Sequence, residues 1–133
     1  MRGYATEWAR KHPYPWDFFQ TMERYAGREL DWFFYPWWYE TGVLDQAVER
    51  VEAVGGEVRV TVRDLGQNPM PVRLVATTGD GRRIAAEIPV ESWLAGARTA
   101  TVTIPASAVT RVEIDPGQLF PDVDRRNNVW SSR

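Results

Sequence analysis

Val58-Arg59-Val60-Thr61-Val62-Arg63 alternates a branched apolar side chain with a polar one over six residues. A period of two places all three valines on one face of a strand, and β-branched side chains suit the pleated backbone. This half-buried strand decides the fold class of the residues around it. On its C-terminal side, Gly66-Gln67-Asn68-Pro69 has turn chemistry, and Val72-Arg73-Leu74-Val75-Ala76 follows as a second strand. Thr78-Gly79-Asp80-Gly81 predicts a tight hairpin turn into Arg83–Ile88. Thr101–Ile104 and Val109–Ile114 add two more strands. Short strands at this spacing predict a β-sandwich.

On the N-terminal side the pattern changes. Leu44, Ala47, Val48 and Val51 recur at helical spacing, while Val43, Ala47, Val51 and Ala53 allow a strand, so periodicity over 44–54 favours a helix without excluding the alternative. Between residues 40 and 56 the composition shifts from aromatic to Val, Ile and Thr. Five of the seven tryptophans (Trp8, Trp16, Trp32, Trp37, Trp38) precede that shift. Tyr4 to Arg10 reads as the last turns of a helix that His12-Pro13-Tyr14-Pro15 ends. Pro15 suits the first turn of a second helix, with Asp17 at its positive end. Phe18, Phe19, Met22, Tyr25 and Ala26 form its apolar stripe, and Gly27 is its stop. Leu30 to Tyr39 is apolar nearly all round, which predicts burial on several sides, and Pro36 should kink or end it. About forty residues of this kind bury too little surface to offset chain entropy alone. They must pack on the strand half, on another chain or on further polypeptide.

Composition excludes several function classes. The net charge of −2, with acidic and basic residues interspersed, provides no basic footprint for nucleic acid. Cysteine is absent, so disulfides, thiolate metal sites and thiol nucleophiles are ruled out. No apolar run approaches the ~20 residues of a membrane span. Met1-Arg2-Gly3-Tyr4 lacks the apolar stretch of a signal peptide.

Lys11-His12-Pro13-Tyr14-Pro15-Trp16-Asp17-Phe18-Phe19 resembles the KHPxPxDFF stretch near the end of the catalytic domain of M1 (gluzincin) zinc aminopeptidases. Gly27-Arg28-Glu29-Leu30-Asp31-Trp32-Phe33-Phe34 resembles that family's GxDLxWFF, with Trp37 or Trp38 at its next tryptophan. Val43–Val48, Asn68-Pro69-Met70-Pro71-Val72, Val112–Pro116, Phe120–Arg125 and Asn127–Trp130 continue the resemblance in order along essentially the whole chain. Three departures bear on local helix geometry. Tyr14 stands where a capping hydroxyl is common, Glu29 replaces Asp, and Pro36 interrupts a continuous segment.

The resemblance implies an α+β chain in which 1–41 is the helical tail of a metallopeptidase catalytic domain and 42–133 a fibronectin- or immunoglobulin-like β-sandwich. The short helices would pack on that sandwich, and 44–54 would be its first strand. It also implies a parent enzyme that removes N-terminal residues from peptides with zinc, its compartment left open with periplasmic or secreted among the options. Its upstream catalytic domain would be this segment's partner, and self-association through an exposed aromatic face would follow if that partner were removed.

The residues present do not make that chemistry. A gluzincin site needs the two histidines and general base of HExxH plus a further glutamate. This chain has one histidine, His12, and no HExxH. The fragment is therefore expected to be non-catalytic, with no catalytic, cofactor or metal residue of its own and zinc belonging to the parent. Ser92, Ser107, Ser131 and Ser132 have no histidine close in sequence, and the carboxylates of Glu49 and Glu52 are of a kind that ordinary surfaces carry. Asp115, Asp122, Asp124, Asn127 and Asn128 crowd calcium-type oxygen donors into one segment, or else close Asx turns on their own backbone. Outside the resemblance, exposed tryptophans would suit a free-standing β-sandwich module that binds glycan or protein.

Overall fold

In a computed structural model, which describes residues 1–132, the chain is α+β and mostly β. It divides into two compact units, Met1–Thr41 and Gly42–Arg133. No helix among the described residues is long and apolar enough to cross a membrane.

The first unit holds helices α1 (Arg2–Glu7), α2 (Pro15–Ala26) and α3 (Asp31–Tyr39). Pro15 takes the first position of α2, and Asp17 accepts the Tyr14 N–H at 2.8 Å. Tyr14 makes no side-chain cap, so only the acidic half of a reciprocal cap is present. Gly27 ends α2 in the left-handed region, φ 67°, and donates to the Glu23 carbonyl. The Glu23 carboxylate then accepts the N–H of Leu30, which opens α3. Phe18 and Phe19 from α2 meet Phe34 and Trp38 from α3, with Phe19 and Phe34 stacked at 4.4 Å.

Two expectations for this segment need correction. Of the kink or end expected at Pro36, the end is not observed, since α3 runs on to Tyr39 with this residue inside it. Its missing N–H removes one bond, to the Trp32 carbonyl, while its buried ring and the packed rings of Phe34 and Trp38 retain the turn. Nor is α3 enclosed on several sides. Phe34 and Pro36 are buried, but Tyr35, Trp38 and Tyr39 are 61%, 54% and 62% exposed.

Among its described residues the second unit holds seven strands in two antiparallel sheets. Strands β1 (Gln46–Val54), β2 (Glu57–Asp64) and β5 (Thr99–Ile104) form one, in the order β1-β2-β5. Strands β3 (Val72–Thr77), β4 (Arg83–Ile88), β6 (Arg111–Ile114) and β7 (Val129–Ser131) form the other, in the order β4-β3-β6-β7. A one-turn helix, α4 (Glu91–Leu94), precedes β5. Val58, Val60 and Val62 are buried as their alternation requires, and so are Val72, Leu74, Ala76, Val112 and Ile114. Each such valine, leucine or isoleucine contributes about 1.5–3 kcal/mol on leaving water.

Residues 46–54 are a strand, and the helical periodicity misleads for a physical reason. A bulge shifts the β1–β2 register between Val48 and Arg50. The extra residue stretches a period of two into a spacing of three, which imitates a helix.

The free edge of β1 is covered by the C-terminal segment. Leu44 bridges Asp122 in parallel, the Val48 N–H donates to the Asn127 carbonyl, and the Gln46 N–H donates to the Asp122 carboxylate at 2.9 Å. The next residue, Asn128, gives its carbonyl to the N–H of Ile114 in the other sheet. One short segment thus ties both sheets and protects an edge that would otherwise pair with other chains.

Candidate functional site

The candidate site is a groove of about 430 Å³ over β3 and β4, walled by the loop that follows β6. Its construction starts with Asp115, whose φ of 44° is unusual for a residue other than glycine. The Asp115 N–H donates to the Arg73 carbonyl at 2.7 Å, which anchors the loop on β3. Its buried carboxylate accepts the N–H groups of Leu119 at 3.0 Å and Phe120 at 2.8 Å, and Arg125 Nη1 at 3.0 Å. Arg125 Nη2 closes the loop on the Phe120 carbonyl. Burial alone would raise the Asp115 pKa, but the two backbone N–H groups and Arg125 outweigh it and hold the carboxyl below its ordinary value.

The consequence is a fixed wall. Leu119 is 74% exposed, yet its backbone is tied to a buried carboxylate. Facing it, Val75 and Ala85 are register partners on β3 and β4. The next outward-facing pair is Arg73 and Glu87, with Nε and Oε2 3.7 Å apart. The Phe120 ring lies 5.7 Å from the Arg73 guanidinium. The groove is thus apolar, with one cation and one anion side by side at its margin. Its polar side chains are those of Arg73, Glu87 and Asp115.

The acidic C-terminal residues are committed to N–H donors. Asp122 accepts the backbone N–H groups of Gln46 and Asp124 and the Asn128 amide. Asp124 accepts Arg126 through backbone and guanidinium, and Asn127 Nδ2 donates to Asp45 at 2.7 Å. These bonds close turns and join sheets. Among the described residues no group of three or more His, Asp or Glu side chains could hold a metal ion.

His12 is exposed in the α1–α2 connection of the helical unit, whereas all four serines lie in the strand unit. Glu49 pairs with Arg63 at 3.2 Å and Glu52 with Arg50 at 3.5 Å, so the two carboxylates serve separate surface ion pairs. A buried carboxylate that composition does not reveal is Asp64. Burial pushes its pKa up, against the pull of Arg98 at 3.0 Å, and its Oδ1 has no hydrogen-bond partner.

Sequence reasoning missed the groove. Part of the signal was available, because a turn over 78–81 sets Arg73 opposite Glu87. The loop was not, since left-handed Asp115 and Gln118 have no local signature.

Comparison of the chain with protein-family models, curated proteins and solved structures gives no match.

Proposed function

We propose that this chain is the non-catalytic C-terminal module of an M1-type zinc aminopeptidase, with its strand unit a fibronectin- or immunoglobulin-like β-sandwich. The observation that carries the reading is the aromatic face of α3. Tyr35, Trp38 and Tyr39, at i, i+3 and i+4, share one side of the helix and are each more than half exposed. Exposed aromatic stripes of this kind mark surfaces that another body covers. The collinear motifs from Lys11 to Trp130 name that body as an upstream catalytic domain. Two antiparallel sheets, each with an alternating buried face, support the sandwich. The parent would hydrolyse N-terminal residues from peptides, with its zinc ligands encoded upstream.

The decisive observation is the coding sequence before Met1, which should carry HExxH and a downstream glutamate in frame. An in-frame stop directly upstream, with no such motif, overturns the reading. The purified 133-residue chain should release nothing from aminoacyl-naphthylamides. Release that zinc removal abolishes would contradict the assignment. The isolated chain should also self-associate with rising concentration through the α3 stripe. A monomer at every concentration, with no dye bound to apolar surface, counts against it.

A second reading, a free-standing glycan-binding module, is favoured by Tyr14 and Trp16. Their rings stack at 4.6 Å and 9°, and both are more than half exposed. A shift of tryptophan fluorescence on glycan titration, lost in Trp16→Ala, would select it.

A further inference from the structure

We propose that the groove over β3 and β4 binds an apolar α-amino acid as its zwitterion, with the side chain between Leu119 and Val75, the carboxylate on Arg73 and the ammonium on Glu87. This goes beyond the bracing role proposed above and does not depend on it.

Three observations carry the assignment. First, the apolar wall is built in advance. Asp115 fixes the Leu119 and Phe120 N–H groups, so an exposed leucine is held along the same groove as Val75 and Ala85 before any ligand arrives. Such preorganisation lowers the entropy cost of binding. Second, the Arg73 guanidinium has donors to spare. Among the described residues its side chain meets only the Phe120 ring and, through Nε, Glu87 at 3.7 Å. The Nη pair makes no hydrogen bond, and a planar fork of that kind matches a carboxylate. At 3.7 Å the Arg73–Glu87 contact is also too long for a hydrogen bond, which leaves the Glu87 oxygens as acceptors.

Third, the charges select the ligand class. A lone carboxylate would meet the repulsion of Glu87, and a lone amine that of Arg73. A molecule with both charges one carbon apart satisfies the pair together. About 430 Å³ lies within the range of small-molecule sites and holds a leucine-sized side chain. Both charged side chains are more than half exposed, so solvent screens them and affinity is about millimolar.

The test is a titration of the isotope-labelled chain with leucine, leucinamide and N-acetylleucine, followed by amide chemical shifts. Leucine should move resonances confined to residues 73–75, 85–87 and 116–120. Leucinamide and N-acetylleucine, each lacking one charge, should bind about tenfold more weakly. Arg73→Gln and Glu87→Gln should each lose about tenfold for leucine. Both positions are on an exposed sheet face, and an unchanged spectrum elsewhere verifies the fold. The proposal is overturned if leucine moves no localised set of resonances at saturating concentration. Equal binding of all three ligands, or unchanged affinity in both variants, overturns it as well.

Discussion

Val60, Val62, Val72, Ala76, Ile104 and Val112 of the strand unit have no exposed surface, whereas the helical unit buries only Thr21, Phe34 and Pro36 among its described residues. The strand unit closes its core with aliphatic side chains on alternating positions. The helical unit has larger side chains but too few backbone turns to surround them. Its rings therefore touch one another and still face water, as Trp38 does while packing on Phe18, Phe19 and Phe34. Apolar content alone does not make a core. Enclosure requires two layers that cover each other's apolar face.

The sharpest test of that contrast truncates one enclosed residue in each unit. Leu74→Ala should destabilise the strand unit by about 2–5 kcal/mol in denaturant unfolding, because Leu74 is 1% exposed in a packed interior. Phe34→Ala should instead abolish most of the helical far-ultraviolet signal, since Phe34 is the one aromatic ring buried among the described residues of that unit. Should Leu74→Ala cost under 1 kcal/mol, the strand core is looser than described. Hydrogen exchange sharpens the same point, with β2 and β3 amides far slower than those of α1 and α2.

Gly66→Ala should cost about 1–3 kcal/mol. A methyl group there would strike the Val43 carbonyl oxygen and lie 2.8 Å from the Asp45 nitrogen, both backbone atoms that cannot swing away. Gly27→Ala in the helical unit meets nothing within 4 Å and is strained only by its φ of 67°, so its cost should be smaller, about 1 kcal/mol. Equal costs would erase this difference between the units.

Two buried aspartates should respond to pH in opposite directions. Asp115 has a lowered pKa, so its stabilisation is complete above the ordinary value of about 3.9 and is lost as pH falls through its folded value. Asp115→Asn should cost about 1–3 kcal/mol at neutral pH, and the deficit should shrink in acid. Asp64 has a raised pKa. Its contribution is present below about 3.9 and is lost as pH rises through the raised value, leaving a burdensome ion at neutral pH. Asp64→Asn, the smallest effect, should gain on the wild type as pH climbs from about 4 towards 7. A parallel curve for Asp64→Asn across that range would contradict the Asp64 assignment, and an Asp115→Asn deficit that stays constant below pH about 3.9 would contradict the other.

The sequence was most legible where burial is set by near neighbours. Val58 to Arg63 alternates because one face of its strand is enclosed, and Pro15 to Gly27 announces both ends of a helix. Legibility failed where one extra residue broke the period, as at Glu49 beside the bulge. It failed also where an element is too short to carry a pattern, as with α4 and β7. For the acidic tail the turn-closing reading was visible in advance, but the partners of Asp122 and Asn127, 76 and 82 residues away in the chain, were not.

Periodicity, turn residues and the absence of a zinc ligand set were properties of the linear chain, because each depends on residue type and local spacing. Tertiary structure alone decided which sheet each strand joins, how the tail covers the edge of β1, and that Leu119, Val75 and the Arg73 guanidinium line one groove. Those features rest on hydrogen bonds between residues distant in sequence, and on the left-handed backbone of Asp115, which only its assembled partners make favourable.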